Sequence, residues 1–189
     1  SQLKITAEKG RWMSVTAKMI LVEIYLHDPF GARDPAGAVR LMEDVRGRYP
    51  KSAMLHSAPL IALYQAGRVD DFHKGAAEFV RKASAGEYRK LDLPKGYVLL
   101  GTAYWALKKP EDALGAFRRA ADEKPINRWA VWAAIRAGHV LDLLGRRDEA
   151  LLAYKRAVDE PDRWGYKDFA EKGLSKPFRL DGDFSVDPP

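Results

Sequence analysis

The chain has 189 residues, no cysteine and a formal charge of +6, with 47% hydrophobic and 31% charged residues. That size suits one ordinary domain or a short repeat array with enough apolar content for a continuous core. The missing thiols exclude disulfides, thiolate metal sites and cysteine nucleophiles.

Residues 1–159 hold 27 of the 32 basic and 19 of the 26 acidic residues. A basic body of this kind either favours acidic partners or is a solvated surface rich in Arg. The most apolar run, Met19 to Leu26, is eight residues with Glu23 inside it, against about 20 for a membrane-crossing helix. The sequence starts Ser1-Gln2, with no Met. We expect a soluble domain, cytoplasmic or exported with a leader removed.

Ser1 to Gly10 is polar and without clear period, and reads as a frayed lead-in. From Trp12 the apolar residues Val15, Met19, Val22 and Leu26 recur at steps of three and four, which predicts a helix to about His27. Asp28-Pro29-Phe30-Gly31 breaks it. Asp34-Pro35 then starts a helix, with an N-cap candidate and Pro at the first helical position, and Ala38, Leu41, Met42 and Val45 carry its apolar face to Tyr49-Pro50. Lys51 to Ala66 is a further helix, and Pro59 inside it predicts either a kink or a later start. Val69 to Ala83 is its partner, through Phe72, Ala76, Phe79 and Val80.

Pro94 to Asn127 divides into two amphipathic halves. Tyr97, Leu100, Gly101, Tyr104 and Leu107 share one face of the first, and Ala113, Phe117 and Ala120 share one face of the second, which Pro125 ends. Gly101 and Ala113 fall where the faces meet, so the helices can approach closely. Trp129 to Leu144 and Asp148 to Val158 form another pair, with Gly138, Ala150, Tyr154 and Ala157 in equivalent places. Asp162 to Leu174, bearing Trp164, Tyr166 and Phe169, suits a capping helix, with Lys176-Pro177-Phe178 laid across the end. Residues 179–189 read as an extended tail.

The residues Tyr97, Leu100, Gly101, Tyr104, Ala113, Phe117, Ala120 and Pro125 fill every signature position of the tetratricopeptide repeat, with Tyr for the usual Trp at the first. The stretch therefore resembles that family over 34 residues. The resemblance implies an all-α, right-handed superhelical array of about nine helices, with degenerate repeats at 12–50 and 51–84, a clear repeat at 94–127, another at 128–161, and a cap at 162–178. Leu141 and Ala134 depart from the pattern in the 128–161 unit.

The family binds protein segments along the first helices of its pairs. Carried over, its ligand-facing positions are Lys95, Val98, Thr102, Trp105 and Ala106 in one unit and Trp132, Ile135, His139, Asp142 and Leu143 in the next, with Tyr64 in the earlier one. Exposed Trp105, Trp132 and Tyr64 would call for a partner. Alternatively, these aromatics fill the groove themselves. The carboxylate-clamp positions hold Val98 and Thr102, so recognition of a C-terminal carboxylate is not expected.

No phosphate loop, nucleophile elbow or zinc-protease motif is present, so no enzyme, cofactor or metal site is expected. His139 with Asp142, one helical turn apart, is too small a set to hold a metal alone. Arg118-Arg119, Arg146-Arg147 and Lys155-Arg156 recur at roughly repeat spacing and raise a rival reading, a basic repeat protein that binds nucleic acid or another polyanion. It is disfavoured because two of these pairs sit on second helices, away from the aromatics. A self-associating structural module is a further alternative.

Overall fold

A computed structural model describes residues 2–9, 14–27, 31 and 33–180. Its contacts divide the chain into two compact units, residues 1–75 and 76–189. Ten α-helices and one short 3-10 turn account for the regular structure among the described residues, and these residues form no strand.

The first unit contains α1 (Gln2–Lys9), α2 (Ser14–His27), α3 (Pro35–Arg48), α4 (Ala53–Gln65) and the start of α5 (Val69–Ser84). The first of these corrects the expectation of a frayed lead-in, and ten helices among the described residues agree with the expected number of about nine. Ala7 is buried against Ala17 and Leu21, with Leu3 and Leu41 packed alongside, so docking of one small apolar stripe supplies what the polar sequence lacks. The expected contribution of Trp12 and the break at Asp28–Phe30 lie outside the described residues.

Asp34 caps α3 as its sequence implies: its carboxylate accepts from the Gly37 N–H at 2.7 Å, with Pro35 in the first turn. Buried Lys18 of α2 pairs with Asp44 of α3, and the Lys18 bond holds the Asp44 carboxyl below its usual range. Ser52 caps α4, accepting from Leu55 N–H at 3.3 Å. The helix therefore begins after Lys51, yet it still carries Pro59 in its interior.

In the second unit the Lys90–Asp92 turn leads into α6 (Leu93–Ala106), followed by α7 (Pro110–Asp122), α8 (Arg128–Leu143), α9 (Arg147–Val158) and α10 (Lys167–Ser175). Each helix packs on the next in sequence, and α8 also touches α6 and α10. This nearest-neighbour stacking is what a repeat array requires. Acidic first turns at Glu111-Asp112 and Asp148-Glu149 complement the helix dipoles of α7 and α9.

The close approach inferred at Gly101 is real. A Cβ there would sit 2.8 Å from the Phe117 ring, and one at Gly138 would sit 2.5 Å from Tyr154. Both rings are fully buried. The two pairs thus use the same device, a glycine on the first helix against an aromatic on the second. Gly173 of α10 lies 2.5 Å from Tyr154 by the same measure, so that ring is slotted between two glycines.

Candidate interaction surface

The first helices of the second unit, α6 and α8, carry the positions to which the family resemblance assigns ligand contact. On α6, Val98 and Thr102 are fully buried, and the Thr102 hydroxyl donates to the Val98 carbonyl at 3.0 Å. Trp105 is half-buried at the edge of the core cluster. The Lys95 ammonium sits 5.1 Å above the Trp129 ring, which Arg128 also approaches, at 4.8 Å. In the first unit, Tyr64 is half-buried with its ring 5.3 Å from Phe72.

On α8 the pattern differs from an open aromatic face. Trp132 is only 3% exposed and Ile135 is fully buried. The Trp132 ring meets Tyr166 at 5.5 Å and Phe169 edge-on at 5.9 Å, while the Arg136 guanidinium stacks 4.7 Å from it. Val98, Thr102, Trp132 and Ile135, expected to face a ligand, are therefore interior in this chain. For Trp132 the reason is α10, which packs along α8 and supplies Phe169 directly. This is the alternative in which aromatics fill the face themselves.

His139 and Asp142 lie one turn further along. The His139 ring stacks on Phe178 at 3.8 Å and 15°. Burial first, then neighbouring Arg136, depress the imidazole pKa to about 3, so it is neutral at ordinary pH. The Asp142 carboxylate is fully buried and accepts four hydrogen bonds. Two come from Arg147 at 3.0 and 3.1 Å, one from the Tyr154 hydroxyl at 2.8 Å, and one from the Phe178 backbone N–H at 2.7 Å. Burial and the Asp142 bond raise the Tyr154 pKa. Arg147 also donates to the Leu174 carbonyl at 3.0 Å. The segment Lys176-Pro177-Phe178 does cross this end of the unit. The convergence of Tyr154, Arg147 and Phe178 on Asp142 was not readable from sequence, because its members lie 5 to 36 residues from it.

Four residues of the three basic pairs, Arg118, Arg146, Arg147 and Arg156, are engaged with carboxylates. Arg118 of α7 bonds Glu149 of α9 at 2.9 Å, and Arg146 bonds Glu149 at 2.7 Å and Glu111 at 3.2 Å. Arg156 bonds Asp122 at 2.6 Å and also reaches the Ala121 carbonyl. The Arg146 bond, then the Arg118 bond, lower the Glu149 pKa to about 2. Two of these contacts join α7 to α9 and a third joins α7 to the N-cap of α9, across sequence separations of 31, 34 and 35 residues, one repeat apart. Such exposed pairs contribute little to stability, but they occupy Arg118, Arg146 and Arg156, three of the cations a phosphate backbone would use.

Among the described residues, no group of three or more His, Asp or Glu side chains is placed to hold a metal ion. Among these residues, no helix is long and apolar enough to cross a membrane.

A family model of the tetratricopeptide repeat matches residues 94–127. No curated protein sequence matches the chain. Among solved structures, one described as the crystal structure of MamA is similar with a TM-score of 0.52 and 19% identity, over 79% of this chain and 93% of that one. A second, the crystal structure of MamA protein, has a TM-score of 0.53 and 19% identity over 86% and 89%. A third, MamA MSR-1 C2, has a TM-score of 0.52 and 20% identity over 86% and 94%. At these identities the likeness establishes the fold alone.

Proposed function

We propose that the chain, which carries a tetratricopeptide-repeat match over residues 94–127 within an all-helical fold, works as a non-catalytic scaffold that binds a peptide or protein segment along its first helices. The observation that carries this reading is that α8 already holds polypeptide. His139 and Asp142, two of its ligand-facing positions, engage the ring and the backbone N–H of Phe178 in an extended segment. A surface that satisfies both an aromatic side chain and a main-chain donor has the equipment of a peptide site. On this reading Lys95 and Trp105 of α6 continue the surface beside His139 and Asp142, over an interior layer of Thr102, Trp132 and Ile135, while Tyr64 contributes to the equivalent face of the first unit. Half-buried Trp105 is the side chain there best suited to anchor a partner.

The competing polyanion reading is weakened by the carboxylate partners of Arg118, Arg146, Arg147 and Arg156. Capture of partners by the parent chain and by Trp105→Ala separates the two. Loss of about tenfold or more in affinity on truncation, with weak dependence on salt, supports the scaffold. Binding that persists in Trp105→Ala and falls log-linearly with salt would replace it with polyanion binding.

A further inference from the structure

We propose that residues 176–179 are a tethered ligand. The His139–Asp142 end of α8 recognises an extended segment in which proline precedes an aromatic residue, and a partner bearing that sequence enters by displacing the chain's own Pro177-Phe178. The proposal rests on the scaffold reading and names the ligand chemistry of one part of its surface.

The segment is held as a bound peptide is held rather than as a packed helix. The α10 helix ends at Ser175, and Lys176 is already extended, with φ −150° and ψ 148°. From there a single residue makes the contacts. Phe178 turns inward, half-buried, its ring flat on His139 and its N–H on Asp142, whereas Ser175, Lys176, Pro177, Arg179 and Leu180 are exposed. Specificity follows from the chemistry of these contacts. A flat imidazole, neutral because its pKa is depressed, offers a π-face to a planar side chain and little to an aliphatic one. The carboxylate of Asp142, fixed by Arg147 and Tyr154, takes a single backbone donor. Proline before the aromatic fixes φ and favours an extended residue ahead of it, which lowers the entropy lost on docking.

Displacement is feasible because so little of the segment is interior. The α10 helix is anchored separately, through fully buried Ala170 and the Gly173 contact with Tyr154. Residues 176–180 can therefore peel away while the helix stays in place. Exposed segments of this kind open at low free energy, and a tethered segment lowers apparent affinity for an outside ligand by the fraction of time it occupies the site.

The test uses a fluorescein-labelled peptide of residues 175–180, Ser-Lys-Pro-Phe-Arg-Leu, titrated against full-length chains by anisotropy. The Phe178→Ala chain should bind it at least tenfold more tightly than the parent. A peptide with Ala for Phe should not bind, and His139→Ala added to Phe178→Ala should abolish binding. In the parent, excess peptide should strip hydrogen-exchange protection from the Phe178 amide. Equal binding by parent and variant, or none by a folded Phe178→Ala chain, overturns the proposal. So does failure of Phe178→Ala to fold, because the segment is then a structural cap. If the peptide fails while Trp105→Ala still abolishes partner capture, the scaffold reading stands without this site; loss of both effects removes both.

Discussion

Replacing Gly138 by Ala adds one methyl group at the most confined point of the second unit. The new Cβ would stand 2.5, 2.7 and 2.8 Å from three carbons of the Tyr154 ring, where carbon contacts are comfortable at about 3.5–4.0 Å. Relief needs the ring to retreat by about 1 Å. It cannot, because Gly173 presents its own backbone to the other side of the ring, where an added methyl would likewise stand 2.5 Å away, and because the Tyr154 hydroxyl is tied to Asp142 at 2.8 Å. The strain should fall at the upper end of the overpacking range, about 3 kcal/mol. Exchanging Gly for Ala inside a helix returns about 1 kcal/mol, which leaves a net loss of about 2 kcal/mol. Urea unfolding followed by fluorescence measures it, with Gly115→Ala as the control. Gly115 lies in exposed α7 surface with nothing within 4 Å of its added Cβ, so there the propensity gain stands alone and the variant should be more stable than the parent. A Gly138→Ala chain as stable as the parent would refute the slot and, with it, the packing assigned to this repeat.

Two further outcomes follow from named contacts. His139 has its pKa depressed to about 3 in the folded chain, against about 6.5 unfolded. Its stability contribution is thus complete above about pH 6.5 and is lost as pH falls toward the folded value, at up to about 1.4 kcal/mol per pH unit. Between pH 7.5 and 5 the parent should lose about 2 kcal/mol more than His139→Phe, which keeps the stacking but cannot titrate; equal losses in urea melts would contradict the burial of His139. Asn127→Ala removes the cap that accepts from Trp129 and Ala130 N–H, and the bond to the Leu91 carbonyl at 2.9 Å. It should cost about 1–2 kcal/mol in the same assay, and a neutral result would show the cap to be idle.

Much of the fold was legible because helical repeats write their packing locally. Gly101 and Phe117, or Gly138 and Tyr154, announce a helix pair within about one repeat, and Asp34-Pro35 marks a start by a side chain that bonds three residues away. What escaped was set by distant or weak partners. The stripe of α1 amounts to Ala7 and little more, too small to show as a period. The family resemblance placed Trp132 and His139 on one face of α8, but a repeat pattern does not say what covers a face, and Phe169 and Phe178 arrive from beyond the pair. Arg118 and Arg156 read as free positive surface because their carboxylates, Glu149 and Asp122, stand on the neighbouring repeat.

The slot around Tyr154 has a consequence for extending the array. Gly138 and Gly173 stand 35 residues apart and meet the same ring, so α10 occupies the station of a following repeat's first helix, and the preceding pair does not distinguish the two. A module grafted onto the chain therefore belongs between Val158 and Lys167 rather than after Ser175. It would need a glycine to receive Tyr154 and, sixteen residues later as from Gly101 to Phe117 and from Gly138 to Tyr154, an aromatic ring to offer Gly173. With that one pair of residues honoured, the array would become a ruler whose length is set by the number of modules, closed at every length by the same terminal helix.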